Sequence, residues 1–101
     1  MKKLQDITAY CIKVDYYMWS EEKGDYTEPL YLGLVDYERN GAKYENVIVF
    51  RENITAELRV FSTFDDAEYY INQRCMNSCC YENARTVKIK YDFDMNEWKE
   101  V

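Results

Sequence analysis

The stretch Leu30-Tyr31-Leu32-Gly33-Leu34-Val35-Asp36-Tyr37-Glu38-Arg39-Asn40-Gly41-Ala42-Lys43-Tyr44-Glu45-Asn46-Val47-Ile48-Val49-Phe50-Arg51 decides the fold. Asn-Gly tolerates positive φ at both positions, which a two-residue hairpin turn demands. The runs on either side, Leu30 to Glu38 and Lys43 to Arg51, are rich in the branched and aromatic residues that suit a pleated, half-buried surface. With Asn40 and Gly41 as the turn, Tyr37 is expected to face Tyr44, Leu34 to face Val47, Leu32 to face Val49 and Tyr31 to face Phe50. Each is a favourable cross-strand pair. An antiparallel sheet is therefore the starting point.

Working towards the N-terminus, Asp6 to Trp19 alternates with period two. Tyr10, Ile12, Val14, Tyr16 and Met18 fall on one face and Cys11, Lys13 and Asp15 on the other, the pattern of a half-buried strand. Ser20 to Pro29 holds Glu21, Glu22, Asp25, Glu28, a glycine and the only proline, and reads as an exposed loop. Towards the C-terminus, Arg51 to Thr55 turns, and Ala56 to Phe61 is either strand or irregular. Ser62 or Thr63 then caps a helix, with Asp65, Asp66 and Glu68 suiting its positive end. Phe64, Ala67, Ile71 and Cys75 recur at helical spacing, predicting a helix from about Phe64 to about Met76, weakened at Asn77 and Ser78. Thr86 to Phe93 alternates again, with Val87, Ile89, Tyr91 and Phe93 inward. Asp94 to Val101 is an acidic tail anchored by Trp98.

One helix on one face of a small antiparallel sheet of four or five strands is an α+β two-layer architecture. At 101 residues the expectation is one domain over residues 1–101. No internal repeat, low-complexity tract or linker interrupts it.

Composition narrows the function. The chain has 11 tyrosines, no histidine, and 19 acids against 13 bases, a net charge of −6. Without histidine, no side chain titrates near neutrality unaided. Phosphate backbones demand clustered Lys and Arg, and here these are scattered among acids, so direct nucleic-acid binding is not expected. No run approaches the ~18 apolar residues of a membrane span. Met1 to Asp6 carries two bases without an apolar segment behind them, so the expected compartment is the cytosol of the producing or host cell. The cysteines are then thiols, since reducing compartments disfavour disulfides.

Cys75, Cys79 and Cys80 form a C-x3-C-C cluster to which Cys11 could add a fourth thiolate for a tetrahedral zinc. The bland alternative is burial of Cys75 and Cys79 as small hydrophobes on one helix face. A nucleophilic cysteine has no histidine to serve as its base. Asp92, Asp94 and Asn96 imitate the start of a calcium loop, but its glycine position is Glu97 and its twelfth position lies past Val101. Glu21 with Glu22, Asp65 with Asp66, and Asp92 with Asp94 are adjacent acids in segments that read as wet. A general acid needs a dry pocket, so no catalytic residue is assigned. Tyr16, Tyr17, Trp19, Tyr26 and Tyr31 bracket the acidic segment, and alternation sends Tyr17 and Trp19 to the face opposite Tyr16. Tyr17, Trp19, Glu21, Glu22, Asp25, Tyr26 and Glu28 are thus the expected partner-binding set, of a kind that recruits an Arg- and Lys-rich surface.

Phe61-Ser62-Thr63-Phe64-Asp65-Asp66-Ala67-Glu68-Tyr69-Tyr70-Ile71 resembles a segment of many small proteins of bacteria and their phages. In those an F-S/T-x-x-E/D-E/D-A-E-x-Y-I run opens a single helix lying on a small antiparallel sheet. In size and charge the chain is similar to anti-CRISPR inhibitors, some of which occupy the basic nucleic-acid channel of their target. The resemblance implies the fold; no functional residue is carried over from it. The expected function is a non-enzymatic phage or mobile-element accessory protein that binds a basic surface of a host protein, as an inhibitor mimicking nucleic-acid charge. No cofactor is expected in that reading. A second reading is a small zinc-stabilised structural domain using the cysteine cluster, and a third is self-association, such as a homodimer, through a sheet edge.

Overall fold

The computed structural model describes residues 7–75 and 79–101, with the Cys75 side chain outside that description. Among these residues five strands form one antiparallel sheet: β1 (Thr8–Ser20), β2 (Gly24–Arg39), β3 (Ala42–Arg51), β4 (Tyr81–Asp92) and β5 (Glu97–Glu100), in spatial order β3-β2-β1-β4-β5. The one α-helix among the described residues, α1 (Phe64–Tyr70), is short and continues into a π-type turn over Ile71–Cys75. The architecture is the expected α+β sheet with one helix.

The hairpin turn is as expected: Asn40 and Gly41 both have positive φ, 54° and 80°, and Tyr37 faces Tyr44. Beyond that pair the register shifts. Asn46 enters the left-handed region at φ 55° and donates its backbone N–H to Asp36 Oδ1 at 2.8 Å, adding one residue to β3. Leu34 therefore faces Ile48, Leu32 faces Phe50, and Tyr31 faces Arg51, each one residue away from the expected partner.

The expected ten-residue loop Ser20–Pro29 is strand for most of its length. Ser20 Oγ accepts the Lys23 N–H at 3.1 Å and Gly24 takes φ 66°, so the chain reverses over Glu21–Lys23 alone. Asp25, Tyr26 and Thr27 then pair with Trp19, Met18 and Tyr17. Acidic composition favours solvent, but Tyr26 and Thr27 suit a strand and pair with Met18 and Tyr17 of β1.

The acidic tail is likewise a strand from Glu97. Asp92 Oδ1 accepts the N–H groups of Asp94 and Met95, and Asn96 adopts φ 52°, turning the chain so that Trp98 pairs with Tyr91. Strand β4 starts at Tyr81, five residues before the alternation at Thr86, because a bulge at Asn83 (φ 56°) absorbs the break in pattern.

Thr63 is the helix cap, its side chain accepting the Asp66 N–H at 3.1 Å. Ala67 and Ile71 point into the sheet, but Phe64, expected on the same stripe, is 49% exposed and meets Tyr10 edge-on. The Ile71 N–H is shared between the carbonyls of Ala67 and Glu68, where the α-helix gives way to the wider turn. The expected helical end at Met76, and the breaks at Asn77 and Ser78, lie outside the described residues.

Core residues occupy both faces. Ile12, Val14, Leu30 and Leu32 pack beneath Phe61, Ala67 and Ile71 on the helix side. Ala9, Cys11 and Ile89 are buried on the opposite side against Tyr31, Leu58, Val60 and Trp98. The segment Glu57–Phe61 closes the second cluster by lying in the sheet rather than over it. Past Tyr31, β2 leaves β1 and pairs with β3, and the segment fills the gap. Leu34 N–H is donated to Glu57 O (2.8 Å) and Arg59 N–H to Leu32 O (3.2 Å), while Tyr10 and Phe61 exchange both backbone bonds. Gly33 permits this approach, since a Cβ there would meet Glu57 O at 2.8 Å.

Candidate functional site: an acidic aromatic arm

Neighbouring strands leave the outer end of the β1–β2 hairpin alone. Strand β4 reaches β1 only to the pair Tyr16–Tyr81 and the bond from Tyr17 N–H to Cys80 O (3.0 Å). Strand β3 reaches β2 only to Tyr31. Among the described residues, Met18–Ser20 and Gly24–Tyr26 thus have only each other as ladder partners, making a two-stranded arm that projects roughly 10–15 Å past the sheet body. Pro29 lies on the free edge of β2. Tyr17 donates towards β4, so by the alternation of antiparallel ladders its partner Thr27, and Pro29 two residues on, turn their backbones outward. A proline there forfeits no ladder bond and blunts the edge against strand addition.

The arm and its base, where Tyr17 and Glu28 sit, carry the residues of the expected binding set, but distribute them in three places. Tyr17, Trp19 and Asp25 share one face, with Trp19 opposite Asp25. Glu21 and Glu22 occupy the exposed turn. Tyr26 and Glu28 lie on the reverse face, opposite Met18 and Tyr16. One continuous plane of all seven, as the loop reading implied, does not form; strand pleating separates them. Trp19 is 67% exposed and Tyr17 46%. The Lys23 ammonium sits 4.9 Å from the centre of the Tyr26 ring, so one cation already covers the reverse face.

Charge is concentrated here. Tyr17–Glu28 contains four acids and one base, accounting for half of the net charge of −6. Ion pairs elsewhere tie Lys13 to Glu100, Arg51 to Glu57, Arg85 to Asp15 and Lys99 to Asp92. Glu21, Glu22, Asp25 and Glu28 have no ion-pair partner among the described residues.

Two contributors escaped the sequence reading. Glu82 accepts the Tyr17 hydroxyl at 3.1 Å, and that bond raises the Tyr17 phenol. Asp15 at the arm's base is held below the usual carboxylate range, first by the Asn83 amide and, against desolvation, by Arg85. Glu82 and Asn83 reach these places through the Asn83 bulge, and no local signal marks a pairing across 65 residues.

The cysteines separate. Cys11 is fully buried, and burial, with Glu100 adding, pushes its thiol up to about 12. It lies six residues along β1 from Tyr17, whose N–H meets Cys80, hence about 20 Å from Cys80. Cys11 is therefore not available as a fourth zinc ligand. Cys79 and Cys80 are exposed with sulfurs 3.9 Å apart, and the Cys75 side chain lies outside the described residues. Among the described residues no group of three or more His, Cys, Asp or Glu side chains gathers as a metal site. No described helix is long and apolar enough to cross a membrane.

No protein-family model, curated protein or solved structure matches this chain.

Proposed function

We propose that this protein is a non-catalytic binding protein whose β1–β2 arm docks on a basic surface of a partner protein. The supporting observation is that half the net charge and the most exposed tryptophan share one projecting hairpin. Trp19 and Tyr17 supply desolvated anchor area and the ring faces that guanidinium groups prefer. Glu21, Glu22 and Asp25 set carboxylates where a basic groove normally meets phosphates, which speeds encounter and selects against acidic surfaces. An accessory protein of a phage or mobile element that blocks a host nucleic-acid channel fits this chemistry.

The test compares capture from bacterial lysate on the wild-type protein and on a Trp19→Ala/Glu21→Lys/Glu22→Lys variant. The expected result is a protein retained by the wild type at low salt, released at high salt, and not retained by the variant. Equal retention by both, or retention indifferent to salt, overturns the proposal. All three positions are exposed, so the variant keeps its core.

A further inference from the structure

We propose that Cys79 and Cys80 form a thiol–disulfide exchange site that reacts with low-molecular-weight disulfides and closes reversibly into a disulfide between adjacent residues. Successive residues in a regular strand point to opposite faces. Cys79 and Cys80 instead lie in a bend just before β4, which brings their sulfurs to 3.9 Å. Both residues are exposed, so a small disulfide reaches them, whereas Cys11 is sealed in the core.

The exchange is balanced. One sulfur, as thiolate, attacks the small disulfide, breaking its S–S bond and releasing one small thiolate. The neighbouring thiol gives its proton to solvent and attacks the protein sulfur of the mixed disulfide, forming the ring and releasing the second small thiol. Two electrons pass from the cysteine pair to the small disulfide.

Geometry also dictates that the product is labile. Adjacent Cα atoms across a trans peptide lie about 3.8 Å apart, whereas disulfides favour roughly 4.4–6.8 Å. The ring is strained, and strained exposed disulfides belong to the readily reduced, regulatory class. The peptide that must twist ends in Cys80, whose carbonyl accepts the Tyr17 N–H, so closure acts at the base of the arm. The exchange chemistry itself does not depend on what the arm binds.

The experiment treats the full chain with oxidised glutathione and reads intact and peptide masses. The wild type is expected to lose two hydrogens within the peptide containing residues 79 and 80, to keep no glutathione, and to recover its mass on addition of reduced glutathione. Cys79→Ser and Cys80→Ser are expected to hold glutathione as a stable adduct, and Cys75→Ser to close like the wild type. A stable glutathione adduct on the wild type, no reaction, or closure that disappears in Cys75→Ser overturns the proposal.

Discussion

At the scale of single residues, close approaches and left-handed positions matter most. Gly33 lets the Glu57 carbonyl reach β2, so Gly33→Ala must push the Glu57–Phe61 segment out of the sheet or distort β2. A loss of about 1–3 kcal/mol is expected from such overpacking, measured by urea unfolding. Asparagine occupies all four non-glycine positive-φ positions among the described residues, Asn40, Asn46, Asn83 and Asn96. Only Asn40 was legible, because Gly41 follows it; the other three turn left-handed through bonds and pairings that no neighbour in sequence announces. Asp15 depends on one of them. Its carboxyl titrates lower in the folded chain than in the unfolded one, so its contribution is present above the unfolded value and is lost as pH falls through the folded value. Asp15→Asn should therefore be less stable than wild type near neutrality, with the gap shrinking below about pH 4. Thermal unfolding at several pH values checks this, and a gap that widens in acid refutes it.

At the scale of elements, the β2–β3 hairpin shows how one residue redirects a strand. Its outer part, Asp36–Asn46, is exposed on both faces and is held by the turn, the Asn46 bulge and the Tyr37–Tyr44 stack at 4.9 Å. An Asn46→Ala change keeps the backbone donor but penalises the left-handed conformation, with an expected cost of about 1–2 kcal/mol. Asn46→Gly should be close to neutral, and denaturant midpoints of the two variants make the comparison. If both variants unfold alike, the bulge does not depend on that conformation. The turn of this hairpin was readable because it needs only two adjacent residues; the register beyond it was not, because an inserted residue preserves composition while moving every later pair. The same distinction separates Ser20–Pro29 from its expected loop: its acids suit solvent, yet the backbone of Gly24–Pro29 pairs with β1 and extends the ladder.

At the scale of the whole molecule, two long strands give an extended shape. The radius of gyration is 15.8 Å, against about 13 Å for a compact domain of this length. The excess reflects hairpin ends that project from a sheet whose core is confined to its middle. Those ends hold exposed aromatic rings, and the β1–β2 end also holds acids that no described cation neutralises. The salt dependence of capture belongs to this scale. Exposed charges are screened over roughly 8–10 Å at ordinary ionic strength, so binding led by Glu21, Glu22 and Asp25 should weaken as salt rises. Binding led by Trp19 alone should hold.

The chain by itself determined the class of fold, the Asn40-Gly41 turn and the capped helix, because each follows from local periodicity or φ preference. Tertiary structure decided the register of β3 against β2, the place of Glu57–Phe61 inside the sheet, the burial of Cys11 and the splitting of the aromatic set across an arm. Those outcomes depend on which distant strand fills an open edge, and the backbone's need to pair its N–H and C=O groups is satisfied by partners that no short window of sequence contains.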